Sequence, residues 1–105
     1  MKTLEDLEDM LKQNKHYLKD EYFVKQISIF GSYVKGKQRK NSDLDILVEF
    51  ERPISLIRFI KLEKYLSKLL GIKIDLVVKK SLKPYIKNQV LKEAVPVWQD
   101  TSKIT

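Results

Sequence analysis

Between Asp43 and Val78 the hydrophobic period of the chain changes twice, and this constrains the fold more than any other feature. Leu44, Ile46, Val48 and Phe50 recur every second residue along Asp43 to Phe50, the pattern of a strand with one buried face. Pro53 breaks the run, and the period then lengthens. From Ser55 to Leu70 the apolar positions Leu56, Phe59, Leu62, Leu66 and Leu69 keep three-and-four spacing, which predicts a helix with a buried stripe. Gly71 stands where a left-handed C-terminal cap is expected. Ile72 to Val78 returns to alternation, with Ile72, Ile74, Leu76 and Val78 set against Lys73, Asp75, Val77 and Lys79. A strand, a helix and a second strand in this order imply a sheet with helices packed against it.

The remaining segments extend that plan. Residues 4–18 predict a first helix, capped by Thr3 with Asp6 three positions on, and with Leu4, Leu7, Leu11 and Leu18 as its buried stripe. Asn14 interrupts the stripe, and the charged link Lys19-Asp20-Glu21 follows. Val24 to Phe30 is rich in branched and aromatic residues and predicts a strand that runs directly into Gly31-Ser32. The polar run Lys37-Gln38-Arg39-Lys40-Asn41 predicts an exposed loop. A last helix is expected from Pro84 to about Glu93, with Pro96 ending it and Thr101 to Thr105 as a frayed tail. The expected fold is α+β, a small mixed β-sheet packed with helices. One domain is expected over residues 1–98, followed by a tail at 99–105.

Composition narrows the chemistry. The chain has no cysteine and a single histidine, His16, which excludes disulfides, thiolate metal sites, a cysteine nucleophile and a histidine metal cluster. Acids occupy the N-terminal stretch where an export signal would need an apolar run, and no apolar run is long enough to span a membrane. A cytoplasmic protein is the expectation. The net charge of +7 comes entirely from residues 51–105, which carry twelve basic side chains against five acids. That excess suits a polyanion such as RNA, an acidic protein partner or a triphosphate, and a solvated lysine-rich surface also accounts for it. Aromatic residues do not interleave with the basic ones in a nucleic-acid-binding motif, so nucleic acid is not the expected partner.

Three acids stand out by position. Asp43 and Asp45 are two apart in an extended segment, so their side chains leave the same face and can meet one cation. Asp75 falls on the face opposite Ile74 and Leu76, and neighbouring strands would bring it to the same site. Crowded carboxylates raise one another's proton affinity, and a divalent cation relieves this. Oxygen-only ligands suit magnesium or manganese. On their own the three acids are also accounted for by a turn cap and two surface side chains. Gly31-Ser32 at a strand end adds backbone N–H groups and a hydroxyl for phosphate oxygens, and Gly31 would let the backbone approach closely.

Gly31-Ser32-Tyr33-Val34-Lys35-Gly36, followed by Ser42-Asp43-Leu44-Asp45-Ile46-Leu47-Val48, resembles the signature of the polymerase-beta-like nucleotidyltransferase superfamily, and within it the minimal nucleotidyltransferase (MNT) group. Gly71-Ile72-Lys73-Ile74-Asp75-Leu76-Val77 resembles the group's third-carboxylate strand, and Leu91-Lys92-Glu93-Ala94-Val95 its closing helix. The resemblance implies that Gly31, Ser32 and Lys35 bind triphosphate and that Asp43, Asp45 and Asp75 hold magnesium, two ions in all. It implies ATP as donor and AMP transfer to a hydroxyl of a protein, a tyrosine of a HEPN ribonuclease toxin that this chain would counter as antitoxin. Lys35 stands where the group commonly has arginine, which keeps the charge and loses the planar fork. With no second domain evident, a partner is expected to bring the acceptor, and Tyr33, Tyr85 and Trp98 are candidate contacts. Two rivals stay open. One is a non-catalytic antitoxin that neutralises the toxin by binding, and the other is a fragment of an RNA nucleotidyltransferase. Self-association into a homo-oligomer is also left open.

Overall fold

The computed structural model describes residues 2–98; the expected tail, 99–105, lies outside the described residues. Its four strands are β1 (Val24–Phe30), β2 (Leu44–Phe50), β3 (Ile74–Val78) and β4 (Val95–Trp98). Its helices are α1 (Leu4–Gln13), α2 (Lys15–Tyr22), α3 (Ser32–Lys35), α4 (Leu56–Leu70) and α5 (Pro84–Glu93), with a 3-10 turn at Lys79–Ser81. The sheet order is β3-β2-β1-β4. β2 pairs parallel with β3, while β1 pairs antiparallel with both β2 and β4, so the sheet is small and mixed as expected.

The two-residue period of β2 decides which face does what. Leu44, Ile46 and Val48 are fully buried and pack with Leu7, Leu11 and Leu18 of the N-terminal helices and Leu62, Leu66 and Leu70 of α4. Asp45, Leu47 and Glu49 therefore point from the opposite face. Ser55 caps α4 by accepting a hydrogen bond from the Arg58 N–H, and Gly71 ends it at φ +69°, a conformation that favours glycine. Thr3 and Asp6 complete a reciprocal capping box at the start of α1.

Several expectations are corrected. The helix expected over residues 4–18 is two helices, broken at Asn14. Its side-chain Nδ2 donates to the Met10 carbonyl and its Oδ1 accepts from Tyr65 Oη, so the polar side chain ends one helix and pins the break to α4. The charged link Lys19-Asp20-Glu21 belongs to α2. β2 begins at Leu44 and β3 at Ile74, one and two residues later than expected. Pro96 sits inside the edge strand β4, where a missing N–H is tolerated. Leu56, expected in the buried stripe of α4, is 72% exposed because it falls in the first turn, beyond the sheet. No helix among the described residues is long and apolar enough to cross a membrane.

Candidate active site

Strand register assembles the site. Phe30 pairs with Asp45 across β1 and β2, and Asp45 pairs with Asp75 across β2 and β3. The last residue of β1 is followed by Gly31, so the turn into α3 lies against the first carboxylate of β2. Gly31 has φ +78° and ψ −148°, backbone values essentially restricted to glycine. A Cβ there would overlap Asp45 Oδ2 and lie 2.9 Å from Asp45 Cγ. The space needed at this glycine is thus the space of the Asp45 carboxylate, a requirement separate from the phosphate approach expected above. Ser32 opens α3 and is half-buried, and the first turn of a helix leaves its leading N–H groups without helical partners.

The three acids have different surroundings. Asp43 is half-buried just before β2, Asp45 is half-buried on it, and Asp75 is exposed on β3. Burial, then the charge of Asp75, a hydrogen bond with its carboxyl, and the charge of Asp43 push the Asp45 carboxyl up to about 6. Asp45 thus stands between two like charges, Asp75 beside it on β3 and Asp43 just before β2. Among the described residues no group of three such side chains is already drawn together as a ligand cluster. The oxygen-only donor set and the raised Asp45 carboxyl, a group left short of positive charge, fit a hard divalent cation.

Lys35 ends α3 and its Nζ lies 3.3 Å from Glu93 Oε1 at the end of α5. Nothing in the spacing of these residues marks them as partners; only the return of α5 toward α3 does so. Lys37, Arg39 and Lys40 are exposed on the loop before β2. Of the three aromatic residues expected to contact a partner, Tyr33 and Trp98 are buried, and only Tyr85 is exposed, at 79%. Trp98 Nε1 donates to the Lys25 carbonyl, 3.3 Å away, which ties β4 to β1. A groove of about 190 Å³ lies under α5 between Ser28, Leu47, Glu49, Leu91 and Pro96, away from the carboxylates. The acids form a shelf at one end of the sheet, on which Asp75 is exposed and Asp43 and Asp45 are half-buried.

The chain is similar to known proteins along nearly all of its length. The model of the nucleotidyltransferase domain family matches residues 7–97. The chain is 50% identical over 97 residues to the protein adenylyltransferase MntA of Thermococcus cleftensis, covering 92% of this chain and 98% of that protein. Among solved structures it is similar to a chain of a toxin-antitoxin complex with AMP-PNP, with a TM-score of 0.73 and 28% identity, covering 90% of this chain and 74% of that one. The fold is also shared with a chain of the complex between a tri-AMPylated Shewanella oneidensis HEPN toxin and its MNT antitoxin, at a TM-score of 0.65 and 23% identity over 89% of this chain and 72% of that one. A sheet that sets Asp45 beside Asp75 and turns at Gly31-Ser32, with a family match along nearly all of its length, places this chain in the nucleotidyltransferase domain family, among the minimal nucleotidyltransferases of polymerase-beta-like fold.

Proposed function

We propose that this chain is a protein adenylyltransferase that transfers AMP from ATP to a hydroxyl of a cognate HEPN toxin and acts as its antitoxin. The observation that carries the reading is the pairing of Asp45 with Asp75 across parallel strands, beside the Gly31-Ser32 turn. Identity of 50% to an MntA protein adenylyltransferase, and likeness to an antitoxin complex with an ATP analogue, support the donor and the class of partner.

In this reading Ser32 donates its hydroxyl, and the turn its N–H groups, to triphosphate oxygens. Lys35 exchanges its ion pair with Glu93 for phosphate charge. Asp43, Asp45 and Asp75 would hold magnesium, two ions in all, which neutralises the triphosphate and favours the ionised acceptor oxygen. The exposed Asp75 meets the acceptor hydroxyl and takes its proton as the oxygen attacks the α-phosphorus. The new O–P bond forms as the bond to the β-phosphate oxygen breaks, and pyrophosphate leaves. Solvent receives the proton from Asp75.

Intact mass of the toxin after incubation with the chain, ATP and magnesium tests this. Wild type should add AMP-sized increments. Asp75→Asn should bind the toxin with wild-type affinity and add little or none. Neutralisation by wild type with no mass change would replace the transferase with an antitoxin that acts by binding alone. Modification by Asp75→Asn at the wild-type rate would remove the proton-accepting role of that residue.

A further inference from the structure

The strands that present Asp45 and Asp75 at one end run at the other into an apolar groove that the transfer chemistry does not use. Phe50, Pro53, Ile54, Leu56, Phe59 and Val78 line it, and it encloses about 550 Å³. Beside it Leu56 and Ile57 are 72% and 69% exposed, and Ile60 is 42% exposed. These three share one side of α4, because residues three and four apart on a helix are neighbours. The other side of α4 is buried through Leu62, Leu66 and Leu70. The helix is therefore apolar on two sides, with only one of them covered. Single exposed aliphatics are ordinary on a protein surface; a contiguous patch that joins a groove marks an interaction site.

Charge identifies what fits. Residues 49–64 and 78–80 carry six basic side chains and three acids. Of the acids, Glu49 is engaged by Lys25 and Lys79. Lys61, Lys64 and Lys80 are exposed and form no ion pair among the described residues. The apolar patch thus has a positive rim. A second copy of the chain, docked through the same patch by two-fold symmetry, would set one basic rim against another. A nucleic acid would satisfy the rim and leave the aliphatic centre without a counterpart. A protein surface with an apolar centre and an acidic border matches both.

We propose that this groove and the Leu56-Ile57-Ile60 patch dock the acceptor protein through an amphipathic segment with an acidic border, a proposal that rests on the transferase reading above. Asp45 and Phe50 are five residues apart on β2, roughly 17 Å at the rise of an extended strand. A partner held at the groove leaves the carboxylate shelf open and lies within reach of it. The enzyme would hold its substrate at one end of the sheet and modify it at the other.

The test uses Leu56→Asp with Ile60→Asp, and separately Lys61→Glu with Lys64→Glu, all exposed positions. Affinity for the cognate HEPN toxin is measured by titration calorimetry, ATP-magnesium affinity in the absence of toxin, and AMP transfer by mass across a range of toxin concentrations. Both variants should weaken toxin binding tenfold or more and raise KM for the toxin by the same factor. ATP affinity and kcat at saturating toxin should stay at wild-type values. The lysine variant should also show a weaker dependence of affinity on salt. Toxin affinity within twofold of wild type in both variants overturns the proposal. So does a shift of the chain alone from dimer to monomer in sedimentation with toxin affinity unchanged, which would make the patch a self-interface. If wild type neither binds nor modifies the toxin, the transferase reading falls and the docking surface with it; if only the variants match wild type, the docking surface alone falls.

Discussion

Burial and the neighbouring carboxylates push the Asp45 carboxyl up to about 6 from an ordinary 3.8, so the folded chain without a cation keeps a proton that the unfolded chain has released. Between those two values the native state binds more protons, and its stability falls as pH rises. Above about 6 the penalty is constant. Asp45→Asn removes it, and after allowance for solvent screening at a half-buried group the gain is roughly 1–2 kcal/mol at pH 7. Urea melts in a chelating buffer should show that advantage at pH 7 and its disappearance near pH 4; a variant less stable than wild type at pH 7 contradicts the account. Gly31 is the companion case. Gly31→Ala places a methyl group where Asp45 Oδ2 sits and requires a backbone conformation that costs alanine about 1–3 kcal/mol. Thermal melting should show that loss, and AMP transfer should fall at least tenfold because the carboxylate is displaced. Unchanged transfer by Gly31→Ala would mean that Asp45 is free to work from another position.

At the scale of elements, the break between α1 and α2 shows what one polar side chain can impose. Asn14 satisfies the Met10 carbonyl and receives the Tyr65 hydroxyl at 2.8 Å, joining the N-terminal helices to α4 on the face that supports β2. Asn14→Ala leaves the part-buried Tyr65 hydroxyl without this partner and should cost roughly 1–3 kcal/mol. Tyr65→Phe removes the other half of the bond, so the double variant should cost less than the sum of the two single ones. Chemical denaturation of the four proteins measures this, and strict additivity would remove the bond from the stability of the fold. Asn14 was visible in the sequence as an interruption of the leucine stripe. Its partner was not, since nothing local associates residue 14 with residue 65. The same holds for β4: Val95 to Trp98 is short and contains Pro96, so its local signal is that of a helix stop, and only the open edge of β1 makes it a strand.

For the molecule as a whole, local pattern in the sequence set the order of β1, β2, α4, β3 and α5, and it marked Gly31, Ser32, Asp43, Asp45 and Asp75 as candidates for one site. Periodicity and capping are local. Leu44, Ile46 and Val48 alternate because one face of β2 is buried, and Ser55 and Gly71 bound α4 through their own backbone and side-chain bonds. The motif around Gly31-Ser32 and Asp43-Leu44-Asp45 is compact enough to be recognised without coordinates. Tertiary structure decided what depends on register and on distant partners. It paired Asp45 with Asp75, gave the absence of a side chain at Gly31 its reason in the Asp45 carboxylate, and joined Lys35 to Glu93. It also buried Tyr33 and Trp98 while leaving Leu56 and Ile57 in solvent. An aromatic or aliphatic side chain has the same local signature in either place. Whether it is covered depends on what packs over it, and that is set by elements far away in the chain.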